Sequence, residues 1–196
     1  MLKAATRLFA KRGFHAVSMD EIAEASGITK PMLYAYFDSK EGLFLACFAK
    51  GEEMLRETVR AEVERARGAE QRLWRGFLAL FVFFDENPDL AAISYPLEAP
   101  FVEAAVRGRV AMADMLAELF FATAVNEGVD REVAREGEPL AYMLTGAALA
   151  LLRWCADRPD ESRELHALRL MNFAWMGLGN LIRGELWIPP SEEVEK

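Results

Sequence analysis

The stretch Ser18–Glu41, SMDEIAEASGITKPMLYAYFDSKE, decides how the chain is read. Ser18 to Glu21 has the S-x-x-E form of a capping box, in which serine and glutamate each satisfy a backbone N–H that the first helical turn leaves free. Gly27 closes that helix after about two turns. Thr29 is placed to cap the next one, with Pro31 tolerated in its first turn because no helical N–H is needed there. Asp38-Ser39 breaks this second helix after Phe37. At about 100° per residue, Leu33 and Phe37 share the buried side, while Pro31, Met32 and Ala35 lie opposite and Tyr34 and Tyr36 flank them. A narrow ridge with hydroxyls and lysines beside it suits a DNA major groove: the ridge meets base edges and the flanks reach phosphates. Two helices joined by a tight glycine turn fit the helix-turn-helix motif. Each of these residues alone is ordinary on a solvated helix, so the weight lies on their assembly.

Charge supports the same placement. The net charge is −8, but residues 1–50 carry seven Lys/Arg against five acids, and the remaining residues carry 16 against 26. An anionic partner therefore belongs at the N-terminal end. Upstream of the quoted stretch, Leu2, Ala5, Leu8 and Phe9 recur at helical spacing, and Gly13 follows the basic turn Lys11-Arg12 as a cap. Downstream, a long fourth helix is expected from about Lys40 to Arg67, closed by Gly68. Further helices are expected over 70–86, in a short piece through Tyr95, over 101–126, from Asp130 to about Asp157 with a kink or delay at Gly137 and Pro139, and from Pro159 to about Gly184. No alternating run bounded by turn residues reads as a strand, so the fold class is all-α.

The chain also resembles the TetR family of bacterial transcriptional regulators. The resemblance rests on Ala4-Ala5, Leu8-Phe9, Gly13-Phe14, then Ser18, Glu21-Ile22-Ala23, Ser26-Gly27-Ile28, and above all Leu33-Tyr34-Ala35-Tyr36-Phe37, Ser39-Lys40-Glu41 and Leu43. It implies a DNA-binding domain over 1–45 and a ligand-binding and dimerisation domain over 46–196. It also implies Lys30, Pro31, Met32 and Ala35 near bases, and Tyr34, Tyr36, Lys40, Ser18 and Thr29 near phosphates. The function implied is that of a repressor holding an inverted-repeat operator as a homodimer.

The family resemblance further implies a small-molecule pocket walled by the helix around LWRGFLALFVFF and its neighbours. Trp74, Phe77, Phe81, Tyr95, Phe101, Met112, Met115 and Tyr142 are the expected lining, for a hydrophobic or aromatic ligand. The same composition makes an ordinary core, and residue by residue the core reading stands ahead. Asp85, Glu98, Arg109 and Arg153 lie near these stretches, where solvated or paired surface charge is the simpler role. Residues 140–154 and 165–182 have apolar positions beyond one core-facing stripe, together with small residues, and a helix bundle between two subunits would cover the excess.

Other classes of function find little support. Cys47 and Cys155 are far apart and form no metal or disulfide framework, no apolar run approaches a membrane span, and a reducing cytoplasm is expected. His15 and His166 have no Ser or Cys partner at meaningful spacing and read as surface residues, and Asp114 and Glu118 share a helix face without a histidine. No nucleotide, metalloprotease or hydrolase fingerprint is present, so neither cofactor nor metal is expected. A DNA-binding regulator answering to a protein partner remains open beside the ligand-responsive one, with a small helical enzyme well behind.

Overall fold

The computed structural model describes residues 1–94, 101–158 and 160–182, with residues 176–182 described by backbone alone. Every regular element among the described residues is a helix. The first three are α1 (Leu2–Arg12), α2 (Met19–Ser26) and α3 (Lys30–Tyr36). The capping box forms: Glu21 N–H donates to Ser18 Oγ, and Ser18 N–H donates back to Glu21 Oε2 at 2.8 Å. Gly27 closes α2 in the left-handed region, φ 67°, where a side chain would be strained. Thr29 caps α3 through Met32 N–H.

These helices pack on the start of α4 (Lys40–Glu64), capped by Ser39, which accepts from Gly42 N–H at 3.0 Å. Ala5, Phe9, Ile22, Leu33, Leu43 and Phe44 form their shared core. Two residues from much later in the chain complete it: Ile93, at the end of α6 (Pro88–Ile93), and Phe101, at the start of α7 (Phe101–Asn126). Phe101 lies 4.4 Å from Phe44 and 4.8 Å from Phe14, centroid to centroid.

A second, larger core joins α4, α5 (Gly68–Glu86), α7, α9 (Gly137–Cys155) and α10 (Arg163–Ile182). Here α7 packs along α9, and α5 lies between α4 and α10. At 25 residues α4 runs for about 37 Å and belongs to both cores.

Three boundaries differ from the sequence expectation. Helix α4 ends at Glu64 instead of near Arg67, the chain tightening so that Ala66 N–H donates to Val63 O at 3.2 Å; Gly68, at φ 73°, then starts α5 instead of closing α4. The segment expected as one kinked helix from Asp130 is two, α8 (Arg131–Arg135) and α9. Pro139 has no N–H to give the carbonyl of Arg135, so α8 stops there, and the proline sits in the first turn of α9 where none is needed. The last helix opens at Arg163, with Ser162 Oγ accepting from Leu165 N–H at 3.2 Å, several residues after the expected Pro159. The expected breaks at Pro96 and Pro100 lie outside the described residues.

Candidate nucleic-acid interface and ligand cavity

With Leu33 fully buried as its anchor, α3 presents the opposite side to solvent. Met32 is 45% exposed, Tyr34 42% and Tyr36 61%, and Pro31, Ala35, Lys30, Thr29 and Ser18 are exposed as well. Such exposure of two tyrosines and a methionine on a seven-residue helix leaves unmet the apolar contact that other surfaces of the chain bury.

Several of these groups already have partners. Lys30 Nζ donates to Asp20 Oδ2 at 2.9 Å, and that hydrogen bond pushes the ammonium pKa up. Ser18 Oγ accepts from Glu21 N–H and donates to Glu21 Oε2 at 2.8 Å. The Arg12 guanidinium hydrogen-bonds the same carboxylate and, with the Ser18 backbone and hydroxyl, brings the Glu21 pKa down to about 2. Lys40 is half-buried, its ammonium donating to Val17 O at 3.0 Å and lying 4.5 Å from the Phe14 ring centre. It thereby fixes the loop that delivers Ser18 to its cap. Neither Asp20 as a partner for Lys30 nor the inward turn of Lys40 was foreseen; the i+10 spacing of Asp20 and Lys30 crosses a turn, where helical periodicity is silent.

The second feature is an apolar cavity between α4, α5, α7 and α9, about 890 Å³ counting all the space between atoms out to its mouth. On α4 its wall runs from Phe48 to Val63, a length of about 22 Å at the helical rise. Of the eight residues expected to line a pocket, Phe77 and Met112 do so. Trp74 lies on a flank of α5 and lines an outer groove with Met54 and Leu78. Phe81 packs toward α10, 5.7 Å from the His166 ring. Met115 is buried in the helix-packing core. Phe101 belongs to the N-terminal core, and Tyr142 is exposed, its hydroxyl donating to Asp114 Oδ1 at 2.6 Å. Tyr95 lies outside the described residues. The face of α5 that borders the cavity is Leu73, Gly76, Phe77, Leu80 and Phe84. Because α5 is apolar on most sides, spacing alone could not choose that face, and Gly76 contributes nothing to an apolar pattern.

Polar groups mark the two ends of the cavity. At the end nearer α1–α3 stand Glu52, Ser94 and Arg109. Burial pushes the Glu52 carboxyl pKa up, opposed by the positive fields of Arg56 and Arg109. Glu52 lies so close to Gly108 on α7 that a Cβ there would meet Oε2 at 2.6 Å. At the far end Arg72 donates to Thr123 Oγ1, which donates in turn to Leu119 O at 2.6 Å. Arg109 thus lines the cavity, whereas Asp85 pairs with Arg163 in a surface cleft that Arg153 also lines, and Glu98 lies outside the described residues.

His166, expected at the surface, is 5% exposed, with Nδ1 3.3 Å from Arg169 Nη1; burial lowers its pKa. Among the described residues no cluster of three or more His, Cys, Asp or Glu could hold a metal ion.

Residues 1–47 match the family described as bacterial regulatory proteins, tetR family. Over most of its length the chain is 29% identical to the HTH-type transcriptional activator FasR of Mycolicibacterium smegmatis, covering 92% of this chain and 82% of that one. Among solved structures, a TetR-like transcriptional regulator from Rhodococcus sp. RHA1 superposes with a TM-score of 0.69 at 27% identity, covering 91% of this chain and 93% of the other. FadR from Bacillus subtilis, solved in complex with stearoyl-CoA, superposes with a TM-score of 0.67 at 13% identity, covering 88% and 95%, a likeness of fold.

Proposed function

We propose that this chain, which belongs to the TetR family of bacterial transcriptional regulators, holds an inverted-repeat operator as a homodimer and leaves it when an elongated apolar ligand fills the cavity. Residues 1–45 form the DNA-binding domain and 46–196 the ligand-binding and dimerising domain. Met32, Ala35 and Pro31 meet base edges, where apolar groups suit thymine methyls, and Lys30 reaches a guanine once it releases Asp20. Tyr34, Tyr36 and Thr29 take phosphates, Lys40 joins them through the ammonium hydrogen that its carbonyl bonds leave over, and Ser18 by exchanging its bond to Glu21. The protein acts in the cytoplasm and catalyses nothing. Among the described residues no helix is long and apolar enough to cross a membrane.

The observation that carries the ligand response is the path from α6 into α7. Ser94, Ala105 and Arg109 line the cavity, while Ile93 and Phe101, on the same segment, complete the core beneath the helix-turn-helix. A ligand that parts α7 from α4 therefore acts on the N-terminal core as well as on α4, and favours an arrangement in which two recognition helices no longer match successive major grooves. The shape and apolar walls favour a long acyl chain with a polar head, the class of ligand with which the Bacillus subtilis FadR structure was solved.

Dimerisation is supported by Met143 and Trp154 on α9 and Leu165, Leu168 and Phe173 on α10, all exposed, with Phe173 at 67%. Trp175, by contrast, is partly buried against the core, and the Leu178 side chain lies outside the described residues.

The test begins by selecting bound sequences from random DNA, which should enrich a dyad-symmetric site. Long-chain acyl-CoA is then titrated with and without that operator. Linkage requires the operator to weaken ligand affinity by the factor by which ligand weakens operator affinity. Failure to enrich a dyad counts against the DNA assignment, and equal ligand affinities remove the switch.

A further inference from the structure

Beyond the main cavity lies a second one, also apolar and open to solvent at its mouth, between α5, α7, α8 and the start of α9. The two cavities share Arg72, Leu73 and Phe120 in their linings. Arg72 is held by Thr123 Oγ1 and, more loosely, by Ala66 O at 3.5 Å. Phe120 is set against Gly137, the first residue of α9, where a Cβ would lie 3.4 Å from Phe120 Cβ. A tethered guanidinium, a leucine and a ring thus border both apolar spaces. Val129, Val133 and Ala134 also line the second space.

We propose that this distal space is the terminal subsite for an unbranched aliphatic chain, and that Arg72 and Phe120 form the partition through which chain length is read. The proposal rests on the reading that the main cavity takes an aliphatic ligand. A chain short enough for the main cavity leaves the partition closed. A longer chain must swing the Phe120 ring aside and then gains the burial of each methylene it places in the distal space, worth roughly a fourfold gain in affinity apiece. The partition carries a cost once, and the gain grows with length, so affinity should rise in two stages separated by a plateau.

The experiment uses the full chain and a graded series of unbranched saturated fatty acids, with their coenzyme A thioesters as a second arm to separate the free acid from the thioester as the source of the chain. Calorimetric affinities are compared for wild type, Val133→Trp, which fills the distal space from its rim, and Phe120→Leu, which lowers the partition; thermal melts check that each variant is folded. Val133→Trp is expected to cut the ratio of affinity for the longest chains to that for the shortest by about sixteenfold, the equivalent of excluding two methylenes. Phe120→Leu is expected to raise the same ratio and erase the plateau. If wild type binds chains but both ratios stay at the wild-type value, the distal subsite is overturned while the ligand reading stands. If no chain of any length binds in either arm, the ligand reading falls and the subsite falls with it.

Discussion

Replacing Phe101 tests whether the N-terminal core and the cavity are joined through α7. The ring is buried and makes contacts with Phe14 and Phe44 at 4.8 and 4.4 Å. Truncation to alanine leaves a hole in a small core, which typically costs about 3–5 kcal/mol. Phe101→Leu keeps most of the volume and loses chiefly the two ring–ring contacts, at about 0.5–1.5 kcal/mol each. The expected order is therefore wild type, then Leu, then Ala, with the alanine variant losing a large share of a domain stability that is about 5–15 kcal/mol in total. Chemical denaturation measures the loss. The informative quantity is the ratio of ligand affinities without and with operator, which Phe101→Leu should bring down several-fold from a wild-type value of roughly 5–150. A destabilised Phe101→Leu that retains the full ratio would show that α4 alone carries the signal. An alanine variant costing under about 1 kcal/mol would refute the packing argument itself.

Other expected outcomes follow from the same geometry. Lys40→Ala should weaken binding to every DNA sequence alike and flatten the salt dependence by about one unit of slope, and should also lower the melting temperature because Val17 O loses its donor. Lys30→Ala and Met32→Ala should instead change which operator is preferred, at about 1–3 kcal/mol per altered base contact; binding to a panel of operator variants at several salt concentrations separates the two patterns. Phe173→Glu should yield monomers and lose operator binding while leaving the fold intact, since the side chain is mostly exposed; a stable wild-type monomer in sedimentation would defeat this. The folded pKa of Glu21, about 2, lies below its ordinary value of 4.5, so its contribution to stability is present above about pH 4.5 and is lost as pH falls toward 2. Glu21→Gln should remove that part of the acid dependence, which denaturation at a series of pH values would show.

Much of the N-terminal region is legible from sequence because its signals are local. Ser18, Thr29 and Ser39 announce helix starts by satisfying N–H groups within three residues of themselves, and all three do so. Leu33, with Phe37 one helical turn on, fixes which way α3 faces for the same reason: the pairing is local. The cavity gives no such signal. Trp74 and Phe77 are both apolar on a helix apolar nearly all round, and only the neighbours that arrive from α4 and α7 distinguish a wall from an outer groove. Phe101, a pocket candidate only by family resemblance, has as neighbours Phe14 and Phe44, more than fifty residues away in sequence. The burial of His166 is likewise non-local, depending on Phe81 from α5 and the Glu161–Arg169 pair beside it. The break between α8 and α9 was in reach, because Pro139 removes one identifiable hydrogen bond.

A helix-turn-helix whose core is closed by Ile93 and Phe101 has a consequence during synthesis. The three helices that meet DNA leave the ribosome first, yet the aromatic face of Phe14 and Phe44 lacks part of its cover until Phe101 emerges. At about 5–20 residues per second, the interval from residue 47 to residue 101 lasts roughly 3–11 seconds. For that time the nascent reader of DNA carries an open sticky surface and an unfinished fold, and a cassette cut after residue 47 and grafted to another protein would carry the same defect permanently.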